Sequence, residues 1–173
     1  MNDNMKLFMR KMEKFNEQLA NEDISASVIL IGGQAGRFLL EDFRMTYDVD
    51  FMVKAINDAS KASTFRELMF QNDIEDVTVV EVPPLEEIEF QDSIEFSNLT
   101  IYIPTIEYFA ITKLFSNRPK DEYDLVNIGI IDACDPEKLN EMIHLYKGDV
   151  LNVNDPNANF NTLKDFLKSR GIE

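Results

Sequence analysis

One cysteine, one histidine, no long apolar run and no cluster of positive charge set the first limits on this 173-residue chain. With Cys134 alone, no intrachain disulfide can form, and an intracellular, cytoplasmic home is the default expectation. Cys134 and His144 are too few for a Cys/His zinc site, so any metal chemistry has to use carboxylates. No stretch approaches the roughly 18 apolar residues of a transmembrane helix. Charges interrupt the opening MNDNMKLFMRKMEKF every few residues, so a secretory leader is not expected. Lys and Arg number 17 against 32 Asp and Glu, a formal charge of −15, and no basic run occurs. A nucleic-acid binder normally carries a basic patch for counterion release, which argues against extended DNA or RNA binding. A small nucleotide or a tRNA end is not excluded. The acidity itself reads first as solubility.

What is present is an ordinary globular composition, 45% hydrophobic and 28% charged, with 13 Phe and 8 Met. The length suits a single domain with its own core. Met5, Phe8, Met9, Met12, Phe15 and Leu19 recur at helical spacing and predict an amphipathic helix over about 4–21. Ser27 to Ile31 is a short β-branched run that reads as a buried strand stopping at Gly32-Gly33. One or two helical turns over 34–41 precede a second strand, Tyr47 to Val53. A helix over 62–72 leads to a third strand at Val77 to Val82, ended by Pro83-Pro84. Ile94 to Phe96 and Leu99 to Ile103 read as a hairpin. Thr105 caps a helix through Phe115, another helix covers about 120–131, and Asp135-Pro136 opens a further one. Residues 149–161 read as a loop, and a last short helix over 162–169 ends near Gly171. The pattern is α+β: a mixed sheet between about 27 and 103, flanked by helices, with a helical C-terminal part. Residues 1–103 form the core in this reading and 104–173 the helical part packed on it.

The chemistry concentrates in ILIGGQAGRFLLEDFRMTYDVDFMV, from Ile29 to Val53. Alternation along an extended strand puts Asp48 and Asp50 on one side, with Cα atoms roughly 6.5–7 Å apart. Two such charges repel by about 2–3 kcal/mol at an effective dielectric near 20. A cation between them removes that repulsion, and Mg²⁺ suits one or two protein carboxylates completed by waters and phosphates. Gly32 and Gly33 lack Cβ atoms, so their backbone N–H groups can approach a phosphate closely at a helix start.

Gly32-Gly33 followed by Asp48-Val49-Asp50 resembles the signature of the nucleotidyltransferase superfamily, which includes minimal nucleotidyltransferases, antibiotic-modifying transferases and abortive-infection toxins. The approach Arg44-x-Thr46-x-Asp48 is similar to that of one uncharacterised bacterial subgroup. So is a later segment carrying Lys113, Leu114, Arg118, Lys120, Asp121 and Asp124. The resemblance implies a Mg²⁺-dependent enzyme, with Mn²⁺ as the substitute ion. It would transfer a nucleoside monophosphate from a nucleoside triphosphate to a small-molecule or protein acceptor. Two metal ions would clamp the attacking and leaving oxygens, held by three carboxylates. Asp48 and Asp50 match two of them. The third is expected as an acid among apolar residues on a neighbouring strand, where Glu81 leads and Glu95 and Asp73 are rivals. Glu81 would double as a base for the acceptor.

By the same resemblance Gly32, Gly33, Arg44, Thr46 and Lys113 would bind the nucleotide. Lys113 alternatively snorkels outward from an apolar helix, and Asp121 and Asp124 suit a helix start with no function at all. His144 and Cys134 read as structural. The alternative function is an inactive nucleotidyltransferase fold that acts as an interaction module in a toxin–antitoxin or phage-defence pair. A partner protein or a homo-oligomer accords with either reading.

Overall fold

The computed structural model describes residues 3–40, 43, 47–77, 88–115, 119–146 and 163–172. It divides into two compact units, the first from residues 1–38, 45–78 and 90–104, the second from 39–44, 79–89 and 105–173.

The first unit opens with helix α1 (Asp3–Asn21), whose apolar stripe buries Phe8, Met12, Phe15 and Leu19. Its end is set by Asp23, which takes a left-handed φ of 54° so that the Ile24 N–H can donate to the Leu19 carbonyl at 2.9 Å. Aspartate is one of the few residues that visit this region readily, and the buried Ile24 behind it seals the helix end. Strand β1 (Ala26–Ile31) follows and runs into helix α2 (Gly32–Leu39) without a loop. Strand β2 (Val49–Ile56), a short 3₁₀ turn (Ala59–Lys61), helix α3 (Ala62–Gln71) and strand β3 (Ile74–Asp76) come next. The hairpin of β4 (Phe90–Glu95) and β5 (Leu99–Pro104) completes a five-stranded sheet of order β3-β2-β1-β5-β4.

The sheet is mixed. Strand β1 pairs antiparallel with β2 and parallel with β5, β2 is parallel to β3, and β4 is antiparallel to β5. The apolar run of β1 now has its reason: β1 is the central strand, and Val28, Ile29, Leu30 and Ile31 are all buried. The polar sequence of β4 fits an edge strand. Phe8 meets Phe38 edge-on and Phe15 packs on Phe65, which ties α1 to α2 and α3. Asn98 donates from its backbone N–H to Asn16 Oδ1 (2.8 Å) and from its side chain to the Ile24 carbonyl (3.0 Å), which fixes the hairpin turn against α1.

The second unit is helical. Thr105 Oγ1 accepts from the Tyr108 N–H and starts helix α4 (Ile106–Leu114), as the sequence implies. Helices α5 (Pro119–Val126) and α6 (Ile130–Ala133) replace the single helix expected over 120–131, because Gly129 at φ 95° breaks the run. Asp135 Oδ1 accepts from the Glu137 N–H and caps helix α7 (Pro136–Tyr146). A last helix, Lys164–Ser169, ends before Gly171 at φ 79°. The fold is therefore α+β, a mixed five-stranded sheet with flanking helices and a helical C-terminal part. Among the described residues no helix is long and apolar enough to cross a membrane.

Three strands differ from expectation, β4 among them, which runs from Phe90 to Glu95 rather than from Ile94 to Phe96. The second begins at Val49 rather than Tyr47 and continues to Ile56. A strand not expected from the sequence lies at Ile74–Asp76, directly after the turn that ends α3, and the strand expected over 77–82 lies outside the described residues beyond Val77.

Candidate functional site

The diglycine is the start of a helix, not a turn ahead of one. Gly32 has φ +66°, a conformation that L side chains rarely adopt, and this lets β1 turn straight into α2. The first N–H groups of any helix lack intrahelical partners and favour an anion. Gly33 is buried one residue further on.

Register brings Asp50 to this point. The antiparallel pairing sets Asp50 of β2 opposite Ile31, the last residue of β1, so its side chain lies beside the glycine that follows. A Cβ on Gly32 would collide with Asp50 Oδ2 and stand 3.2 Å from Asp50 Cγ. Gly32 is thus required twice, for its backbone angle and for the carboxylate seated against it. Asp50 is half-buried, whereas Asp48 is exposed and lies one residue ahead of the strand.

On its other side Asp50 pairs with Glu75 of the parallel strand β3. Sequence reasoning missed Glu75, an exposed acid, because it looked for the third strand from Val77 onward. The signal was the Asn72-Asp73 turn: Asp73 at φ 54° closes α3 and delivers Ile74 to the core at once. Of the acids weighed from sequence, Asp73 occupies that turn. Glu95 sits on β4, and its register partners Thr100, Ser27 and Ala55 lead to the end of β2 remote from Asp50. Glu81, Arg44, Thr46 and Arg118 lie outside the described residues.

Next to Asp48 a cleft of about 280 Å³ opens between α1, α2 and the start of β2, lined by Asn4, Leu7, Phe8, Lys11, Gln34, Tyr47 and Val49. The Lys11 ammonium donates to the Asp73 carbonyl at 3.0 Å. Partial burial pushes the Lys11 pKa down, and the charges of Asp73 and Asp48 oppose that shift.

In the second unit, Lys113 does not snorkel outward. It is 2% exposed, and its ammonium donates to Asp121 Oδ1 and to Asp124 Oδ2, both at 2.9 Å. The two aspartates are fully buried. Cys134 is buried as expected; burial, with Glu107 and Asp135 adding to it, pushes its thiol far above the ordinary range, so it is no nucleophile at neutral pH. His144 lies on the exposed side of α7.

Among the described residues, no three His, Cys, Asp or Glu side chains are gathered closely enough to hold an ion by themselves. The donor chemistry still fits Mg²⁺, which takes one or two carboxylates and fills its remaining positions with water and phosphate oxygens.

An α+β sheet with a helix start of two glycines beside a strand aspartate is the class of fold that the nucleotidyltransferase resemblance implies. Residues 6–169 match the family of nucleotidyltransferases of unknown function (DUF6036), and the chain belongs to it. Membership implies a nucleoside triphosphate substrate and a divalent metal, and leaves the acceptor open. No curated protein and no solved structure matches the chain.

Proposed function

We propose that this protein transfers a nucleoside monophosphate from a nucleoside triphosphate to a small-molecule or protein acceptor, with Mg²⁺ or Mn²⁺. The observation that carries the reading is the Asp50 carboxylate seated against Gly32, where a helix begins. Asp48 and Asp50 would hold the metal, which supplies charge neutralisation for the phosphates. The N–H groups that open α2 would receive phosphate oxygens through Gly32 and Gly33. Glu81 is the proposed third carboxylate, with Glu75 as the candidate added by the strand register. Arg44 and Thr46 are proposed phosphate contacts. Lys113 would have to leave two carboxylates to act likewise, so its first role is to join α4 to α5. The division proposed is a transferase core over 1–103 and a helical part over 104–173.

The test is calorimetric titration of each Mg²⁺-nucleoside triphosphate into wild type and Asp50→Asn. Binding of at least one triphosphate is expected in wild type and is lost in the variant. Equal affinity in the two proteins would sink the enzymatic reading. The competing function, an inactive fold serving as an interaction module, is favoured by Phe70, which is 82% exposed on α3. It predicts that a partner protein co-purifies with wild type and is lost with Phe70→Ser, whatever the nucleotide.

A further inference from the structure

Three of the five large apolar side chains left in solvent among the described residues belong to the first unit: Leu7 at 53% exposure, Tyr47 at 69% and Phe70 at 82%. They form a projection and a hollow. Phe70 stands out from the last turn of α3, while Phe65 and Met69 take up the helix's buried side. Leu7 and Tyr47 line the cleft at the N-terminal half of α1, whose apolar wall is buried Phe8 and Val49. At about 280 Å³ the cleft falls just short of the roughly 300 Å³ where pockets for a whole drug-sized ligand begin, and one aromatic side chain is an apt occupant. The two features are neighbours. The Lys11 ammonium, at the cleft, donates to the Asp73 carbonyl at 3.0 Å, and the Asp73 N–H donates to the Phe70 carbonyl at 3.1 Å.

Charge distinguishes them. Beside Phe70, Glu67 three residues before and Asp73 three residues after are exposed acids, while exposed Arg66 is already paired with Asp76 at 3.3 Å. Beside Leu7, the next turns of α1 bring Arg10, Lys11 and Lys14 to the same side of the helix, at spacings of three, four and seven. Among the described residues Arg10, Lys14, Glu67 and Asp73 make no ion pair within the chain. Acids flank the projection and cations flank the hollow. A surface that carries both halves of a complementary pair side by side meets the condition of a two-fold interface, where each contact of residue i with the partner's residue j is matched by one of j with i.

We propose that this face is the interface of a two-fold homodimer, in which Phe70 of each copy enters the α1–α2 cleft of the other and the acids beside Phe70 meet the cations beside Leu7. The occupant is a second copy because the chain itself supplies the projection, the hollow and both signs of charge, whereas a different protein accounts for only one of them at a time. The interface does not draw on the Gly32–Asp50 point: Val49 lines the cleft, and Asp50 follows it on the opposite face of β2. It therefore stands independently of the nucleotidyltransferase reading.

The experiment is analytical ultracentrifugation of wild type, Phe70→Ser and Leu7→Glu across a concentration series at low and high salt, with circular dichroism to check that each folds. Both altered side chains are exposed and lie on different helices, so a folding failure of one leaves the other to decide. Wild type is expected to be a dimer whose dissociation constant rises with salt, because the charges around the contact are screened. An aromatic anchor of this kind is lost twice per dimer, so Phe70→Ser is expected to raise that constant by about 100-fold or more. Leu7→Glu sets an acid against the acids beside Phe70 and is expected to weaken the dimer likewise. The decisive arm mixes the two variants. Phe70→Ser keeps an intact cleft and Leu7→Glu an intact Phe70, so the mixture is expected to form a heterodimer with one of the two contacts, tighter than either variant with itself. A wild type that stays monomeric at every concentration overturns the proposal, and a different protein bound by such a monomer through Phe70 would return that side chain to the interaction-module reading. A dimer that neither variant weakens, or a mixture that associates no better than its components, overturns it as well.

Discussion

Two groups of acids in this protein have opposite fates. Asp48 stands exposed one residue ahead of β2, and Asp50 is half-buried in it, seated against Gly32 at the start of α2. Asp121 and Asp124 are sealed from solvent and both accept from one ammonium, that of Lys113. The sequence writes both as paired acids near a basic or small residue. Burial separates them. A buried carboxylate has to be satisfied by fixed groups, because the cost of leaving it unpaired is several kcal/mol. An acid open to water can remain available for a diffusible cation. The triad is therefore a clamp within the helical unit, and the Asp48–Asp50 stretch is the one proposed to take exchangeable ligands.

That contrast breaks first at Lys113. Lys113→Ala leaves two buried aspartates without the ammonium between them, and is expected to destabilise the protein by about 3–5 kcal/mol. Urea denaturation followed by circular dichroism measures it. Replacing the triad as a whole, with Lys113→Met, Asp121→Leu and Asp124→Leu, should recover most of that loss, since well-packed apolar groups can substitute for a buried ion cluster. A loss of less than about 1 kcal/mol in Lys113→Ala would show that the ammonium is not what neutralises the pair.

The next effect is at Gly32. Gly32→Ala forces a side chain into a left-handed backbone angle and against the Asp50 carboxylate, a combined strain of about 1–3 kcal/mol. Adding Asp50→Ala removes the collision and leaves the backbone term. The double variant is expected to be less destabilised than the sum of the two single ones, a departure from additivity typical of residues in contact. Simple additivity would mean that the carboxylate is not seated against the glycine.

Much of this architecture was legible beforehand, and for definite reasons. The Phe/Met spacing of α1 and the apolar run of β1 are burial signals, and burial is what the sheet's central strand and its covering helix share. Caps at Thr105 and Asp135 were readable because the chemistry is local. The break at Gly129 was missed, since periodicity runs across it and only the positive φ ends the helix. Glu75 was missed because its position is a matter of register: nothing near it in the chain says that it will lie beside Asp50. The outward-pointing alternative for Lys113 fails for the same kind of reason, its partners being set by helix packing that spacing alone does not specify.

The smallest expected change in stability is also the sharpest test of the comparison. Asp48 is exposed, so Asp48→Asn should move the unfolding free energy by no more than about 0.5 kcal/mol in the absence of ligand. In wild type a bound Mg²⁺-triphosphate at 100 times its dissociation constant adds about 2.7 kcal/mol to stability. If Asp48 holds the ion, the variant keeps its ligand-free stability and loses most of that increment at the same nucleotide concentration. Urea titrations of the two proteins with and without Mg²⁺-triphosphate read both quantities at once. An unchanged increment would mean that Asp48 does not contribute to the metal site. A large loss without ligand would mean that this acid, like Asp121 and Asp124, serves the fold.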